Sequence, residues 1–323
     1  MNYDLRTLPK MRDGLSYAYF EHCIVEQDGL SVSVFSEKER ILLPAAALGV
    51  LLLGPGSSIT HAAIKTLSEN GCLVQWTGEG MQRFYAQGLG ETRKGGHLEL
   101  QAKLWADDRL HNEVVLRMYR MRFRKRLPQG LTLEQIRGME GVRVREAYST
   151  ASRETGVKWE GRSYDRRDWS RGDPINRALS AANACLYAVC HTAIVSGGYT
   201  PGLGFIHIGK ALSFVYDIGD LYKVEITIPL AFKVTAENPS KFESAVRTAC
   251  REIFHNCNLL GRILPDIDRL FDLEHPLTED EIDWDIDTDP ARPAPYWSPV
   301  TGNSQENYAI DASAGAGVDG DSE

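Results

Sequence analysis

Residues 88–96 read GLGETRKGG, and the chain changes character there. Four glycines and four polar or charged side chains in nine positions leave no apolar face. Such a stretch is a connection, neither helix nor strand. Before it, short apolar runs alternate with turn signals; after it, apolar residues recur at helical spacing. The expected organisation is a β-rich domain at residues 1–88, a linker at 89–97, a larger all-α domain at 98–276 and an acidic, proline-containing tail at 277–323, extended or disordered. Strands followed by a run of helices predict an α+β fold.

Working outward toward the N-terminus, LSYAYFEHCIVEQ and LSVSVF flank the Asp28–Gly29 turn signal and predict a hairpin. RILLPAAALGVLLLG continues the apolar run as far as GPGS. A short helix with Ser58 or Thr60 as its cap, HAAIKTLSENG as its body and Gly71 as its stop comes next, before the strands CLVQWTG and MQRFYAQG. Toward the C-terminus, LQAKLWADDRLHNEVVLRMYRMRFRKR reads as one long helix. Thr132 and Gln135 have capping-box spacing ahead of LEQIRGMEGVRVREAYSTASRETG. Asp173–Pro174 is an N-cap and first-turn pair for a helix ending near Gly197–Gly198. Its run Ala178–Val195 is rich in Ala, Ser and Cys and contains Asn183 and His191, as in a tightly packed buried helix and not a membrane span. LYKVEITIPLAFKV, residues 221–234, is divided between strand propensity in VEITI and helical surroundings, with helix preferred. KFESAVRTACREIFHNCNLLGRIL reads as a further amphipathic helix.

Composition sets the class. There is no N-terminal basic-plus-apolar segment, so a cytoplasmic protein away from membranes is expected. Six scattered cysteines include no C-x-x-C pair, which disfavours a zinc ribbon or a disulfide framework. The net charge of −8 would disfavour nucleic acid if it were evenly spread. It is not. Residues 279–323 hold twelve acids against one base, a net of −11, so residues 1–278 carry +3 and leave room for a basic surface.

The segment GFIHIGKALSFVYDIGDLYK, residues 204–223, sets His207, Asp217 and Asp220 among apolar residues. Aspartates three apart share a helix face and repel if dry. They need a metal cation, solvent, or a basic partner such as Lys210 or Lys223. Glu140 is flanked by Gly138 and Gly141, each costing a helix about 1 kcal/mol relative to Ala. That cost implies close packing there, against a neighbouring helix or a bulky ligand. Arg137 and Arg143, three residues before and after Glu140, lie on either side of it in a helix, where plain salt-bridging is the alternative use. Glu140, His207 and Asp220 together form an oxygen-rich set with one imidazole, suited to Mg²⁺ or Mn²⁺, with Asp217 as an additional acid. RMYRMRFRKR (117–126) is dense in bases, and KWEGRSYDRRDWSRGD (158–173) interleaves Trp159, Tyr164 and Trp169 with arginines. The first fits a phosphate-binding helix or a solvated basic face; the second fits a platform for unstacked bases or a loop packed by its tryptophans. No P-loop, dinucleotide fingerprint or nucleophile elbow is present.

QIRGMEGVRVREAY, GRSYDRRDW and GFIHIGKALSFVYDIGD, in this order, with PGSSITHAAIKTLSENGCLVQWTGEG before them, resemble the CRISPR-associated adaptation integrase family, Cas-one, in its subtype I-E form. The resemblance spans roughly residues 10–265 and implies an N-terminal β-rich domain followed by an all-helical catalytic one. It implies Glu140, His207 and Asp220 as metal ligands, with Asp217 and Lys210 as further active-site residues. Arg83, Tyr164, Trp169 and Tyr187 fall at DNA-contacting positions. His22 stands where the family often has a wedge tyrosine, and Ser58 and Lys65 stand where it has arginines. The implied activity is metal-assisted joining of the 3′-hydroxyl ends of a short duplex to CRISPR leader-repeat DNA, with endonuclease activity besides. The implied assembly is a homodimer within a 4:2 heterohexamer with a small ferredoxin-like partner, Cas-two, on which an extended arm such as Pro293–Val300 docks. The alternatives are a DNA-end scaffold with a structural metal site and a metal-dependent phosphoesterase of other specificity.

Overall fold

VLLL at Val50–Leu53 is buried at all four positions, which happens when both faces of a strand are covered. Leu51 and Leu53 point into the core of the strand-rich part, and Val50 and Leu52 pack with Ala188 and Val195 of the helical part. The period-two alternation of one strand thus serves two cores. In this computed structural model, residues 17–37, 39–79, 84–88, 95–123, 127–128, 130–162, 173–237 and 242–272 are described.

Strands come first: β1 (Tyr17–Phe20), β2 (Ile24–Asp28), β3 (Ser31–Phe35), β4 (Arg40–Pro44), β5 (Val50–Leu53), β6 (Ser58–Ile59), helix α1 (His61–Glu69), then β7 (Leu73–Thr77) and β8 (Phe84–Gln87). They form two four-stranded sheets in the orders β1-β5-β7-β8 and β4-β3-β2-β6. The hairpin at Asp28–Gly29 forms, with Asp28 opposite Ser31. The segment before it is not one strand. His22 adopts φ +49, a left-handed conformation that breaks extended pairing, so β1 and β2 enter different sheets. The apolar run after β3 also divides, with a 3-10 turn at Ala45–Ala47 between β4 and β5. Thr60, and not Ser58, caps α1 by accepting from the Ala63 N–H.

Helices α2 (Gly96–Ala106), α3 (Asp108–Arg122), α4 (Leu133–Thr155), α5 (Pro174–Ser196), α6 (Ser213–Tyr222), α7 (Ile228–Glu237), α8 (Phe242–Asn256) and α9 (Leu259–Phe271) follow. The single helix expected from residue 100 is two. Asp107 is extended and turns its carboxylate to the Leu110 N–H, ending α2 and capping α3. The expected helix at 241–264 is likewise two, broken where Asn258 takes φ +45. The Thr132/Gln135 capping box and the Asp173–Pro174 start of α5 form as expected. Residues 221–234 are helical, and the β-branched run lies in a π-helical turn at Lys223–Thr227. Helix α5 is the axis of the helical core and packs on α6, α7, α8 and α9. Its apolar length would cross a membrane, but most of it is buried among these helices.

Candidate active site

Four segments meet at one place: the C-terminal end of α3, the middle of α4, the loop before α6, and α6 itself. Gly204 makes the loop possible. A Cβ there would collide with the His207 carbonyl oxygen and stand 2.7 Å from the Ser213 backbone. The tight fold aims three consecutive N–H groups, from Phe205, Ile206 and His207, at the Asp217 carboxylate over 2.5–3.0 Å. Asp217 is fully buried, and such a carboxylate persists only when its oxygens are saturated with donors. A fourth bond comes from the His207 ring, whose Nδ1 lies 2.7 Å from Asp217 Oδ1.

That bond sets the chemistry of His207. With the proton on Nδ1, Nε2 presents its lone pair, 4.0 Å from Asp220 Oδ2. The Asp217 hydrogen bond also raises the His207 pKa, with smaller help from the Asp220 charge and against partial burial. Asp217 and Asp220 therefore do different work although they share α6. Asp217 positions the imidazole, while Asp220 faces the site, bonded to Lys223 Nζ at 2.5 Å. Burial opposes the Lys223 charge, but Asp220 and Tyr187 outweigh it and its pKa is raised.

Glu140 completes the group from α4. Arg143 grips it with a two-pronged contact at 2.7 and 2.8 Å, the planar fork that matches a carboxylate. The Arg122 guanidinium stands 3.6 Å from Glu140 and 3.5 Å from Asp220, joining the two acids through one positive charge. Among the described residues no three His, Cys, Asp or Glu side chains are gathered closely enough to hold a metal as they stand. The donor types still suit one: the carboxylates of Glu140 and Asp220 lie against the cationic Arg122, and His207, in the ligating tautomer, lies beside Asp220.

Of the two uses expected of Gly138 and Gly141, packing against a neighbouring helix does not occur. Neither marks tight helix packing, since a Cβ at Gly138 meets open space and one at Gly141 meets only the Arg145 side chain at 3.7 Å. Helix α4 exposes a bare strip beside Glu140. Two basic residues expected at a DNA surface are used internally: Arg117 bonds the Leu270 carbonyl and Asp272, and Arg122 is buried. Trp159 is stacked on Tyr148 at 4.4 Å and packed edge-on to Phe232, so it belongs to the core.

A family described as CRISPR associated protein Cas1 matches residues 109–251. The CRISPR-associated endonuclease Cas1 2 of Thermus thermophilus is 55% identical over 295 residues, 91% of this chain and 90% of that protein. The chain belongs to the Cas1 family. The CRISPR-associated endonuclease Cas1 of Geobacter sulfurreducens is 43% identical, over 82% of this chain and 87% of its own length. A crystal structure of a TtCas1–DNA complex superposes with a TM-score of 0.71 at 57% identity, covering 82% of this chain and 99% of that one. The strand-then-helix architecture is that of Cas1 structures.

Of the residues that the Cas1 resemblance selects, the fold brings Glu140, His207, Asp217 and Asp220 together. Lys210 is exposed on the same loop, three residues beyond His207. Tyr187 adjoins them: Lys223 Nζ lies 4.9 Å above its ring, and Tyr216 meets it edge-on at 5.0 Å. Tyr187 and Tyr216 also help line a cavity of about 330 Å³ with Phe84, Tyr85 and His191. Arg137 is exposed on α4, whereas Arg143 is engaged by Glu140. His22 sits apart in the strand region beside the Pro55–Gly56 turn, its N–H bonded to the Pro55 carbonyl at 2.9 Å. Arg83, Tyr164, Trp169 and the tail lie outside the described residues. Sequence reading offered Lys223 as a basic partner for the aspartates, which it is for Asp220, and missed Arg122 at this site. The signal for Lys223 was its one-turn spacing from Asp220; Arg122 had none beyond membership of a basic run.

Proposed function

We propose that this Cas1 protein is a divalent-metal-dependent DNA endonuclease and integrase of CRISPR adaptation, of subtype I-E. It joins the 3′-hydroxyl ends of a short duplex bearing 3′ single-stranded ends to repeat phosphodiesters at the leader side of a CRISPR array. The single observation that carries this reading is that Arg122 stands against both Glu140 and Asp220, next to a His207 ring held by Asp217. The names of the relatives as CRISPR-associated endonucleases and the DNA-bound TtCas1 structure support it.

In this reading Glu140, His207 and Asp220 hold one Mg²⁺ or Mn²⁺. When bound, the ion supplies Lewis-acid stabilisation of charge on the phosphoryl oxygens. The chain's own residues do the rest. Asp217 keeps the His207 proton on Nδ1 and the ring in one orientation. Lys223 and Lys210 bring positive charge to the phosphate. Tyr187 and Tyr216 offer ring faces and edges to a base displaced from the stack, with the aromatic cavity behind them. Tyr164 and Trp169 extend that aromatic surface, Arg83 and Arg137 contact phosphates, and His22 stacks at the duplex end. Arg143 reaches DNA only by loosening its hold on Glu140. The acting assembly is a homodimer within a 4:2 heterohexamer with the small partner Cas2.

The test mixes the protein with Cas2, a short duplex, a CRISPR plasmid and Mn²⁺ or Mg²⁺. Strand joining is expected, and Glu140→Ala should abolish it, by about a thousandfold or more, while DNA binding is kept. Equal joining by Glu140→Ala would overturn the reading.

A further inference from the structure

Arg122 is 5% exposed at its side chain, yet it makes no hydrogen bond through Nε or NH2. A buried guanidinium is ordinarily held by fork-shaped bonds to a carboxylate, as Arg143 is held by Glu140. Arg122 instead lies at 3.5–3.6 Å from two carboxylates and over the Tyr119 ring at 5.1 Å. It is attracted to both acids and bonded to neither.

Each acid already has a partner of its own. Glu140 has Arg143, Asp220 has Lys223, and Asp217 has three backbone N–H groups and His207. Arg122 is therefore not needed to pair any one of them. Among the described residues, it stands against Glu140 and Asp220 together, and so against carboxylates from two different helices, α4 and α6, that would otherwise repel across the site.

We propose that Arg122 is a built-in counter-cation: it holds Glu140 and Asp220 facing each other before a divalent ion arrives, and it competes with that ion for the same two carboxylates, setting how tightly the ion is held. The inference rests on reading Glu140, His207 and Asp220 as metal ligands. A divalent ion on those oxygens shares them with a like charge that burial leaves poorly screened. Metal binding in the free protein is accordingly weak. Arg122 is a positioning residue, since it meets the carboxylates and no reacting atom.

The experiment measures Mn²⁺ binding to the full chain by electron paramagnetic resonance of the free ion and by calorimetry, with melting temperatures with and without Mn²⁺. Wild type, Arg122→Gln and Arg122→Lys are compared. Arg122→Gln keeps polar N–H groups and loses the charge. It is expected to bind Mn²⁺ about tenfold tighter, equivalent to about 1.4 kcal/mol, to melt lower without metal, and to gain more from metal than wild type does. Arg122→Lys keeps the charge and is expected to stay within about threefold of wild type. Equal or weaker binding by Arg122→Gln overturns the role of Arg122, as does a tenfold gain in Arg122→Lys. Should Arg122→Gln be unfolded without metal, recovery of the wild-type near-ultraviolet circular dichroism on adding Mn²⁺ supports the inference, and failure to recover overturns it. Absence of Mn²⁺ binding in both wild type and Arg122→Gln overturns the metal reading beneath it.

Discussion

His207 and His191 respond to pH with opposite signs because their surroundings do. The Asp217 hydrogen bond raises the His207 pKa above its unfolded value near 6.5. The stability this bond contributes is complete below pH 6.5 and is lost as pH rises through the folded pKa. A metal ligand must be neutral, so Mn²⁺ affinity should rise over that same window. Asp217→Asn is expected to return the His207 titration, followed by NMR of the ring Cε1–H, toward 6.5 and to weaken Mn²⁺ binding by roughly tenfold to a hundredfold. An unmoved titration would show that Asp217 does not hold the ring. His191 is 3% exposed, lies 4.0 Å from the Phe84 ring, and burial lowers its pKa to about 4. A depressed histidine pKa means that the unfolded chain binds the extra proton, so this contribution is present above pH 6.5 and is lost as pH falls toward 4. Over that window wild type should lose roughly 3 kcal/mol more stability than His191→Phe in urea titrations. Parallel pH profiles would refute the assignment.

At the scale of elements, the loop from Gly204 into α6 is where backbone decides chemistry. The three amides that saturate Asp217 are aligned only because residue 204 has no side chain. Gly204→Ala should therefore cost about 2–4 kcal/mol and lower joining more than DNA binding, measured by melting and by gel shift. Retention of full joining would mean that the loop tolerates rearrangement. Gly219 plays a related part on α6, since a Cβ there would stand 2.9 Å from the Tyr187 ring that packs across it. The π-helical turn beginning at Lys223 follows directly on this face. Such wide turns occur often at functional sites, and here the turn starts at the lysine that bonds Asp220. Caps at Thr132 and Asp173 were readable in advance because they depend on neighbours three residues away. The breaks at His22 and Asn258 were not, since left-handed backbone at a histidine or asparagine is chosen by what packs around it.

At the scale of the molecule, the strand-rich and helical parts meet through Val50, Leu52 and Leu73 against α5, with a buried polar tie between them. Thr192 Oγ1 donates to Gln75 Oε1 at 2.8 Å. Thr192→Val leaves that carbonyl oxygen buried without its partner and should cost about 1–3 kcal/mol, read by chemical denaturation. A variant as stable as wild type would mean that the interface adjusts around Gln75. Arg247 to Glu79 at 2.8 Å is a second link, but Glu79 is well exposed and such pairs contribute little.

Local pattern by itself determined the change from strands to helices, the hairpin at Asp28–Gly29, the capped starts of α4 and α5, and the burial of α5. Each depends on residues within a turn or two of one another. The motifs named Glu140, His207, Asp217 and Asp220 and set Asp217 apart as an additional acid, but left its task open, and they left the glycines beside Glu140 open between helix packing and a ligand. Only the tertiary structure divided the labour. It turned Asp217 into the loop amides, faced Asp220 toward Glu140, and drew Arg122 out of a basic run to lie between them. The physical reason is range. Hydrogen-bond and helix periodicity act along the chain, whereas the sign and distance of a buried charge depend on which segments the core brings together.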